Sequence, residues 1–229
     1  MTGAVVMAAG EGSRLRPLTE RWPKPLLPID GRPVLATLLR DLAGAGVTRA
    51  VVVTGHLAEQ VEELVGDGSA FGLEASFVRQ PGVLGSADAV RRGIAGGAEP
   101  PFLVVGADTV FAAGDIARFV DEAGPHPGAV AYRLAPGRDP VRVVDGRVER
   151  VLDDDSANPN TGAPLWWFGA ELVPYLDALG GPPYELAHAL QRGIDAGHRV
   201  IGVEIGKTRD LTYPADVVVE NFAYLRRES

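Results

Sequence analysis

The sequence predicts an α/β fold in three layers, in which a mixed, mainly parallel sheet lies between two layers of helices. The first observation is a repeated order of apolar strand and amphipathic helix, which favours parallel pairing of neighbouring strands. The second is a glycine-rich, basic loop directly after the first strand. The third is an acid, Asp108, that follows a strongly apolar strand over 101–105. Ligands bind at the carboxyl ends of the strands in such sheets, so we expect the loop and Asp108 at one site.

Composition limits the class of protein and of partner. With 229 residues, 46% of them hydrophobic, the chain is long enough for one substantial core, and we expect a single domain over 1–229. The net charge of -8 argues against nucleic acid or an anionic membrane as partner. The absence of cysteine excludes disulfides and thiolate metal sites. A signal peptide and a run of about 20 apolar residues are both missing from the sequence, so we expect a cytoplasmic protein.

The first strand and its loop, residues 4–28, carry the strongest signal. A short apolar run ends at two alanines, where small side chains allow a ligand to come close. Glycines free the loop backbone to turn N–H groups toward an anion, and Arg14 and Lys24 supply full positive charges. The pattern predicts a loop that holds a triphosphate. The residues expected to contact the nucleotide here are Ala8, Ala9, Gly10 and Gly12.

Two other interpretations of this loop are a dinucleotide-binding turn and a plain surface loop. A dinucleotide fingerprint, G-x-G-x-x-G, requires glycine at the position that Leu15 occupies. Leu15 and the density of positive charge therefore disfavour a dehydrogenase.

The whole run from residue 8 to residue 25 resembles the signature of the sugar-1-phosphate nucleotidyltransferases, A-A-G-x-G-x-R-L-x-P-L-T-x-x-x-P-K-P. The resemblance implies a Rossmann-like fold and Mg²⁺-dependent transfer of a nucleotidyl group from a nucleoside triphosphate to a sugar 1-phosphate. The short length is similar to that of the single-domain bacterial uridylyl- and thymidylyltransferases. We expect the protein to be a monomer or a homodimer. The resemblance also implies a nucleotide-binding part over about 1–112 and an acceptor-binding and closing part over about 113–229. Arg14 and Lys24 are then expected to be catalytic.

The elements that follow the loop alternate as the fold class requires. Apolar residues at helical spacing predict helices, and compact valine-rich or alternating runs predict strands. The expected elements are a helix over 33–45, a strand over 49–54, a helix over 56–65 and a half-buried strand over 72–79.

A second informative segment begins at Gln80 and leads into a helix that ends at about Ile94. A side-chain amide can pair with the edge of a pyrimidine, and Gly85 lets the backbone approach a base. The resembling family reads Q-x-x-x-x-G-[TSL]-A here and holds the base, which maps onto Gln80, Gly85 and Ser86. Ser86 is also a suitable helix N-cap. Gln80 favours UTP or dTTP, although a flipped amide would suit cytosine.

Asp108 is the expected first ligand of Mg²⁺, because hard oxygen ligands and phosphates suit magnesium. A helix cap or a solvated turn is the other interpretation of this aspartate. The last part of the chain resembles the family's terminal D-x-x-[TR]-P-x-D element, which implies that Asp210 joins Asp108 on the metal.

The remaining elements close the sheet. A type I′ hairpin is expected across Asp145-Gly146, the residue pair that this turn favours. The other expected elements are helices over 114–122, 170–179, 185–196 and from about Asp216 to Leu225, and strands over 128–134 and 200–205.

One stretch departs from the resembling family. The family has an E-K-P segment whose lysine holds the acceptor's phosphate, and Asp154 aligns with that lysine. In one account Asp153 to Asp155 form a solvated loop, and Arg14, Lys207 or Arg209 holds the acceptor phosphate. In the other they face a cationic acceptor over the ring of Trp166 or Trp167, as in a cytidylyltransferase for phosphocholine.

The acceptor side is expected at three further residues. Thr161 and Gly162 match a T-G pair of the family, and Glu185 falls where relatives place an acid, although it also suits a helix N-terminus. The small-molecule substrates are thus a nucleoside triphosphate and a phosphorylated sugar or alcohol. A catalytically silent nucleotide-sugar-binding protein is a further alternative, which the joint presence of Arg14, Lys24, Asp108 and Asp210 disfavours.

Overall fold

A computed structural model describes residues 2–135, 140–155, 157–177 and 180–222. The strands are β1 (Thr2–Ala8), β2 (Pro28–Ile29), β3 (Arg32–Pro33), β4 (Val47–Thr54), β5 (Glu74–Arg79), β6 (Phe102–Gly106), β7 (Thr109–Val110), β8 (Gly128–Leu134), β9 (Arg142–Val144), β10 (Arg147–Arg150), β11 (Asn160–Phe168), β12 (Val200–Glu204) and β13 (Arg209–Asp210). The helices are α1 (Val34–Gly44), α2 (Ala58–Val65), α3 (Ser86–Ala95), α4 (Asp115–Ala123), α5 (Leu186–Asp195) and α6 (Pro214–Asn221).

The central sheet has nine strands in the order β5-β4-β1-β6-β11-β8-β12-β10-β9. The first four are parallel, β11 runs antiparallel to both of its neighbours, and β8 and β12 are again parallel. The sheet is therefore mixed and mainly parallel, which confirms the predicted fold class. Because β11 is reversed, its first residues lie at the same edge of the sheet as the last residues of β1 and β6.

Helices cover both faces of the sheet. Leu39 of α1, Val61 of α2 and Phe119 of α4 are fully buried in one apolar cluster. Val90 of α3 and Leu190 of α5 are fully buried in a second cluster on the opposite face. Successive side chains of β1 and β6 point to opposite faces of the sheet, so they alternate between these two clusters. The three-layer prediction is confirmed.

The hairpin of β9 and β10 forms across Asp145 (φ 47°) and Gly146 (φ 73°), as the Asp-Gly pair predicted. Both residues have positive φ, which is the requirement of a type I′ turn. The hairpin joins the main sheet through β10, which pairs with β12. It extends the edge of the nine-stranded sheet.

The predicted helix over 170–179 is wrong. The chain forms a short 3₁₀ helix, Val173–Leu176, with Pro174 near its start. Two buried leucines, Leu172 and Leu176, pack this turn against the second cluster. The apolar spacing that predicted an α-helix therefore comes from residues that anchor a 3₁₀ turn. Residues 178 and 179 lie outside the described part of the chain. The predicted end of the last helix at Leu225 also lies outside it, and α6 ends at Asn221.

None of the helices in the described part of the chain combines the length and the apolarity that a membrane crossing requires.

Candidate active site

A cavity of about 670 Å³ opens at the carboxyl ends of β1 and β6, between the glycine-rich loop and the start of α3. Open parallel sheets bind their ligands at this edge. The sequence-predicted residues that line it are Ala8, Ala9, Gly10, Gly12, Arg14, Lys24, Gln80, Gly85, Ser86, Asp108 and Glu185. The structure thus gathers both informative segments and Asp108 around one space.

The glycine-rich loop is held in shape from beneath. Gly12 takes a left-handed conformation (φ 60°), and a Cβ there would lie 3.0 Å from Cγ2 of Thr19. The hydroxyl of the buried Thr19 donates to the carbonyl of Gly12 (2.9 Å), and Nε2 of His56 donates to the carbonyl of Thr19 (2.6 Å). Leu15 is 1% exposed and packs in a small apolar cluster. Leucine at this position therefore anchors the loop, where a dinucleotide turn would need glycine.

Two cations of the loop face the cavity in different states. The ammonium of Lys24 contacts Oδ2 of Asp108, and its side chain is only 14% exposed. Arg14 lines the cavity with an exposed side chain. Among the described residues no ion pair engages Arg14. A free guanidinium beside a cation that is already aligned by a carboxylate suits a ligand with several phosphate charges.

The structure gives a steric reason for glycine at residue 85 that the sequence did not reveal. Its φ is 102°, and a Cβ there would lie 2.5–2.7 Å from backbone atoms of Tyr184. The amide of Tyr184 donates to Leu84 (2.8 Å), and its carbonyl accepts from Ala87 (2.7 Å). Glycine is thus required for the close approach of the segment before α5. Contact of Gly85 with a base remains a prediction.

Ser86 connects the starts of two helices. Its hydroxyl donates to a carboxylate oxygen of Glu185 (2.6 Å) and accepts from the amide of Leu186 (2.8 Å). Glu185 lines the cavity and immediately precedes α5. The helix that was expected to begin at Glu185 therefore begins one residue later, at Leu186. The starts of α3 and α5 are therefore coupled through one hydroxyl.

Gln80 is fixed at the cavity wall. Its amide nitrogen donates to Oδ2 of Asp88 (2.8 Å) and to the carbonyl of Gly85 (3.1 Å). The same Asp88 oxygen accepts from Nε of Arg92 (2.7 Å). Burial opposes ionisation of this carboxyl, but the hydrogen bonds from Arg92 and Gln80 lower the pKa of Asp88 below its usual value.

The two predicted metal ligands lie on neighbouring backbone segments. Asp210 pairs with Thr109 in the ladder of β13 and β7, next to Asp108, and its exposed carboxylate accepts from the hydroxyl of Thr212 (3.1 Å). Asp210 itself does not line the cavity, whereas Leu211 and Thr212 do. Within residues 2–135, 140–155, 157–177 and 180–222, no three acidic or histidine side chains cluster as a complete metal site. Two carboxylates nonetheless fit Mg²⁺, which takes one or two of them together with substrate phosphates.

Arg209 is not brought to the cavity. Its guanidinium pairs with Asp30 at the turn between β2 and β3 and with Glu220 of α6, and these partners raise the pKa of Arg209. The role of Arg209 at the acceptor phosphate stays a prediction, and in this structure its donors are engaged by two carboxylates. Lys207 is exposed and does not line the cavity either.

Thr161 and Gly162 lie inside β11, where they pair with Arg133 and Tyr132 of β8. The hydroxyl of Thr161 donates to the carbonyl of Ala135 (2.5 Å). Neither residue lines the cavity, although Pro164 of the same strand does. They lie farther along the edge at which the cavity opens.

The aspartate run serves mainly the structure of its own loop. Asp153 is buried and accepts from Arg142 and Asn158, at 3.0 Å and 2.8 Å. Burial opposes ionisation, but these hydrogen bonds lower the pKa of Asp153. Asp155 accepts from the amide of Ala157 (2.9 Å), and Asp154 is exposed. Trp167 is buried in the core, and Trp166 packs on the opposite face, as the strand alternation predicted.

Sequence reasoning missed three contributors, His56, Asp88 and Tyr184. His56 follows β4 in sequence, at the same edge as the loop after β1, and this placement was a usable signal. Asp88 sits in the first turn of α3, where an acid is ordinarily explained by the helix dipole. Tyr184 acts through its backbone, which no sequence pattern reports.

The family model described as "Nucleotidyl transferase" matches residues 3–142. This range contains the loop, Gln80, Gly85, Ser86 and Asp108.

Two relatives illustrate the range of similarity. The N-acetylmuramate alpha-1-phosphate uridylyltransferase of Neisseria meningitidis is 34% identical over 157 residues, which are 68% of this chain and 67% of that protein. The CMP-5'-(3-aminopropyl)phosphonate synthase of Streptomyces rubellomurinus is 53% identical over 78 residues, which are 34% of this chain and 12% of that protein. The chain thus spans about two thirds of the first relative and a small part of the second.

A solved structure shares the fold over its whole length. The putative glucose-1-phosphate thymidylyltransferase of Bacillus anthracis, in complex with a sucrose, superposes with a TM-score of 0.86 at 18% identity. The match covers 100% of this chain and 97% of that one. At this identity the likeness shows the fold alone.

Proposed function

The chain belongs to the nucleotidyl transferase family, and from this premise we propose that it transfers the nucleotidyl group of UTP or dTTP to a sugar 1-phosphate. The products are a nucleoside diphosphate sugar and pyrophosphate. The observation that carries the proposal is the single cavity lined by Arg14, Lys24 and Asp108 beside Gln80. Such a site suits both charged phosphates and the edge of a base.

The reaction requires no nucleophile from the protein. A phosphate oxygen of the acceptor forms a bond with the α-phosphorus, and the bond to the bridging oxygen of pyrophosphate breaks, so the leaving group departs with that electron pair. The protein contributes positioning and charge neutralisation. Arg14 neutralises the β- and γ-phosphates, and Lys24 bridges the α-phosphate and the incoming phosphate.

Asp108 and Asp210 would hold Mg²⁺, which neutralises phosphate charge when it is bound. Lys24 contacts Asp108 in the structure, so the same carboxylate orients the ammonium beside the phosphate site. The donor set consists of hard oxygens, and the chain contains no cysteine to favour zinc.

The acceptor is proposed to meet the cavity on the side of Glu185. One oxygen of this carboxylate accepts from Ser86, and its remaining acceptor capacity suits a sugar hydroxyl. Thr161 and Gly162 continue along the same edge toward the distal part of the sugar. This arrangement supports a division of the single domain into a nucleotide-binding part over about 1–112 and an acceptor-binding part over about 113–229.

The proposal is tested by pyrophosphate release with Mg²⁺ over a grid of the five common nucleoside triphosphates and a panel of acceptors. The panel contains glucose, N-acetylglucosamine, mannose and N-acetylmuramate 1-phosphates together with phosphocholine. Release with UTP or dTTP and a sugar 1-phosphate supports the proposal. If no combination releases pyrophosphate although nucleotide still binds, a nucleotide-sugar-binding protein is favoured.

A cytidylyltransferase for a cationic phosphorylated alcohol is the second candidate. The relative from Streptomyces rubellomurinus is named for a CMP-aminopropylphosphonate product, but only 78 residues match. The cationic acceptor was expected to meet Asp153 to Asp155, and Asp153 is instead buried against Arg142. Activity confined to CTP and phosphocholine would support this candidate against the first.

A further inference from the structure

The carboxamide of Gln80 has one orientation that its surroundings permit. Its amide nitrogen faces two acceptors, Oδ2 of Asp88 and the carbonyl of Gly85. Rotation of the amide by 180° would place the oxygen against both of them and forfeit two hydrogen bonds. The carbonyl of Gly85 can only accept, and the lowered pKa of Asp88 makes its carboxylate an acceptor as well.

The orientation leaves one polar atom of Gln80 for a ligand. Both amide hydrogens are used inside the protein, and Oε1 has no hydrogen-bond partner among the described residues. Since Gln80 lines the cavity, a bound base meets an acceptor there. At N3 uracil and thymine present a donor, whereas cytosine presents a lone pair. The donor of cytosine on this edge is its N4 amine, so the discrimination requires that Oε1 of Gln80 meets N3 of the base.

We propose that Asp88 determines base specificity by holding Gln80 with its oxygen toward the cavity, which favours uracil or thymine over cytosine. Asp88 acts through Gln80 and is a positioning residue. This inference rests on the proposed function, since it requires a nucleotide in the cavity with its base at Gln80. It gives a role at the site to a buried aspartate, 10% exposed at its side chain.

Arg92 contributes to the charge balance of Asp88, and none of its hydrogen bonds in the described structure goes to Gln80. Replacing Arg92 leaves the acceptor for Gln80 in place. Asp88→Asn also keeps an oxygen that can accept from the amide of Gln80. These two variants are therefore matched controls for Asp88→Ala, which removes the acceptor.

The test measures kcat/KM for UTP and CTP with one sugar 1-phosphate, and the Kd of each nucleotide by calorimetry, in the wild type and in Asp88→Ala, Asp88→Asn and Arg92→Met. We expect Asp88→Ala to lower the preference for UTP over CTP by about tenfold, since the hydrogen bond that it removes is to a charged group. Asp88→Asn and Arg92→Met should keep the preference within about threefold.

A preference that Asp88→Ala leaves unchanged, or a wild type that prefers CTP, overturns the inference. If no nucleotide and sugar 1-phosphate react, the proposed function fails, and the ratio of nucleotide Kd values still tests the role of Asp88. If Asp88→Ala does not fold, Gln80→Met replaces it, because this variant removes the oxygen itself at similar volume. An unchanged preference in Gln80→Met likewise overturns the inference.

Discussion

Lys24 is the residue at which binding and turnover should separate. Its ammonium is aligned by Asp108 at the cavity, where charge develops between the acceptor and the α-phosphate in the proposed reaction. We expect Lys24→Ala to lower kcat by at least about 100-fold, the size of effect seen when one preorganised donor is removed. The Kd of the nucleotide should change far less, because Arg14 and the loop backbone remain.

The measurement is steady-state pyrophosphate release together with calorimetric nucleotide binding. Arg49→Ala is the control, since Arg49 is a surface cation paired with Glu74 away from the cavity. An unchanged kcat in Lys24→Ala would contradict the catalytic assignment.

Gly12 and Gly10 offer a matched pair of glycines in one loop. A Cβ at Gly12 meets Thr19 and Lys24 and sits at positive φ, whereas a Cβ at Gly10 meets nothing within 4 Å. We expect Gly12→Ala to lower the free energy of unfolding by about 1–2 kcal/mol and Gly10→Ala to change it little. Urea unfolding measures both. Equal losses in the two variants would show that the left-handed conformation is not what requires glycine at residue 12.

At the scale of an element, the hairpin of β9 and β10 depends on ionised Asp153. This carboxyl has a lowered pKa in the folded protein, so its contribution to stability is present above the unfolded pKa of about 3.9 and is lost as pH falls through the folded pKa. We expect Asp153→Asn to be less stable than the wild type at pH 7. The difference should shrink below about pH 4, where the wild-type carboxyl also becomes protonated.

Urea unfolding of both proteins between pH 3 and pH 7 measures this dependence. A difference that stays constant through the acid range would contradict the account, because the contribution would then not depend on the charge of Asp153.

Helix α6 is held to the rest of the protein by polar contacts and by Val217, which packs against a small apolar cluster. No residue of α6 is buried, while Arg209 joins Glu220 of this helix to Asp30, and Asn221 donates to the carbonyl of Pro28. We expect Arg209→Leu to speed amide hydrogen exchange in β13 and α6 and to leave α3 unchanged. If the amides of β13 and α6 exchange at the same rate in the variant and in the wild type, this role of Arg209 is contradicted.

At the scale of the whole molecule, the sequence predicted those features that depend on local pattern. Strands such as β6 are continuous apolar runs, and the turn at Asp145-Gly146 uses a residue pair with a specific conformation. The glycine-rich loop and Asp108 were predicted at one edge because parallel strands bring their carboxyl ends together. The structure places them around the same cavity.

Features that depend on partners distant in sequence were not predictable. Arg209 was one of three residues expected to hold the acceptor phosphate, and its partners Asp30 and Glu220 are visible only in the fold. Gly85 was assigned to a base, whereas its close neighbour is the backbone of Tyr184. The spacing over 170–179 suited a helix, but the leucines anchor a 3₁₀ turn.

In the proposed reaction, one cavity joins a nucleotide to a sugar phosphate. The most direct measurement is the identity of the products, by mass spectrometry and ³¹P NMR, after incubation with UTP or dTTP, a sugar 1-phosphate and Mg²⁺. We predict a nucleoside diphosphate sugar and pyrophosphate in equal amounts. Nucleoside diphosphate with inorganic phosphate, or pyrophosphate formed without a sugar product, would contradict the account.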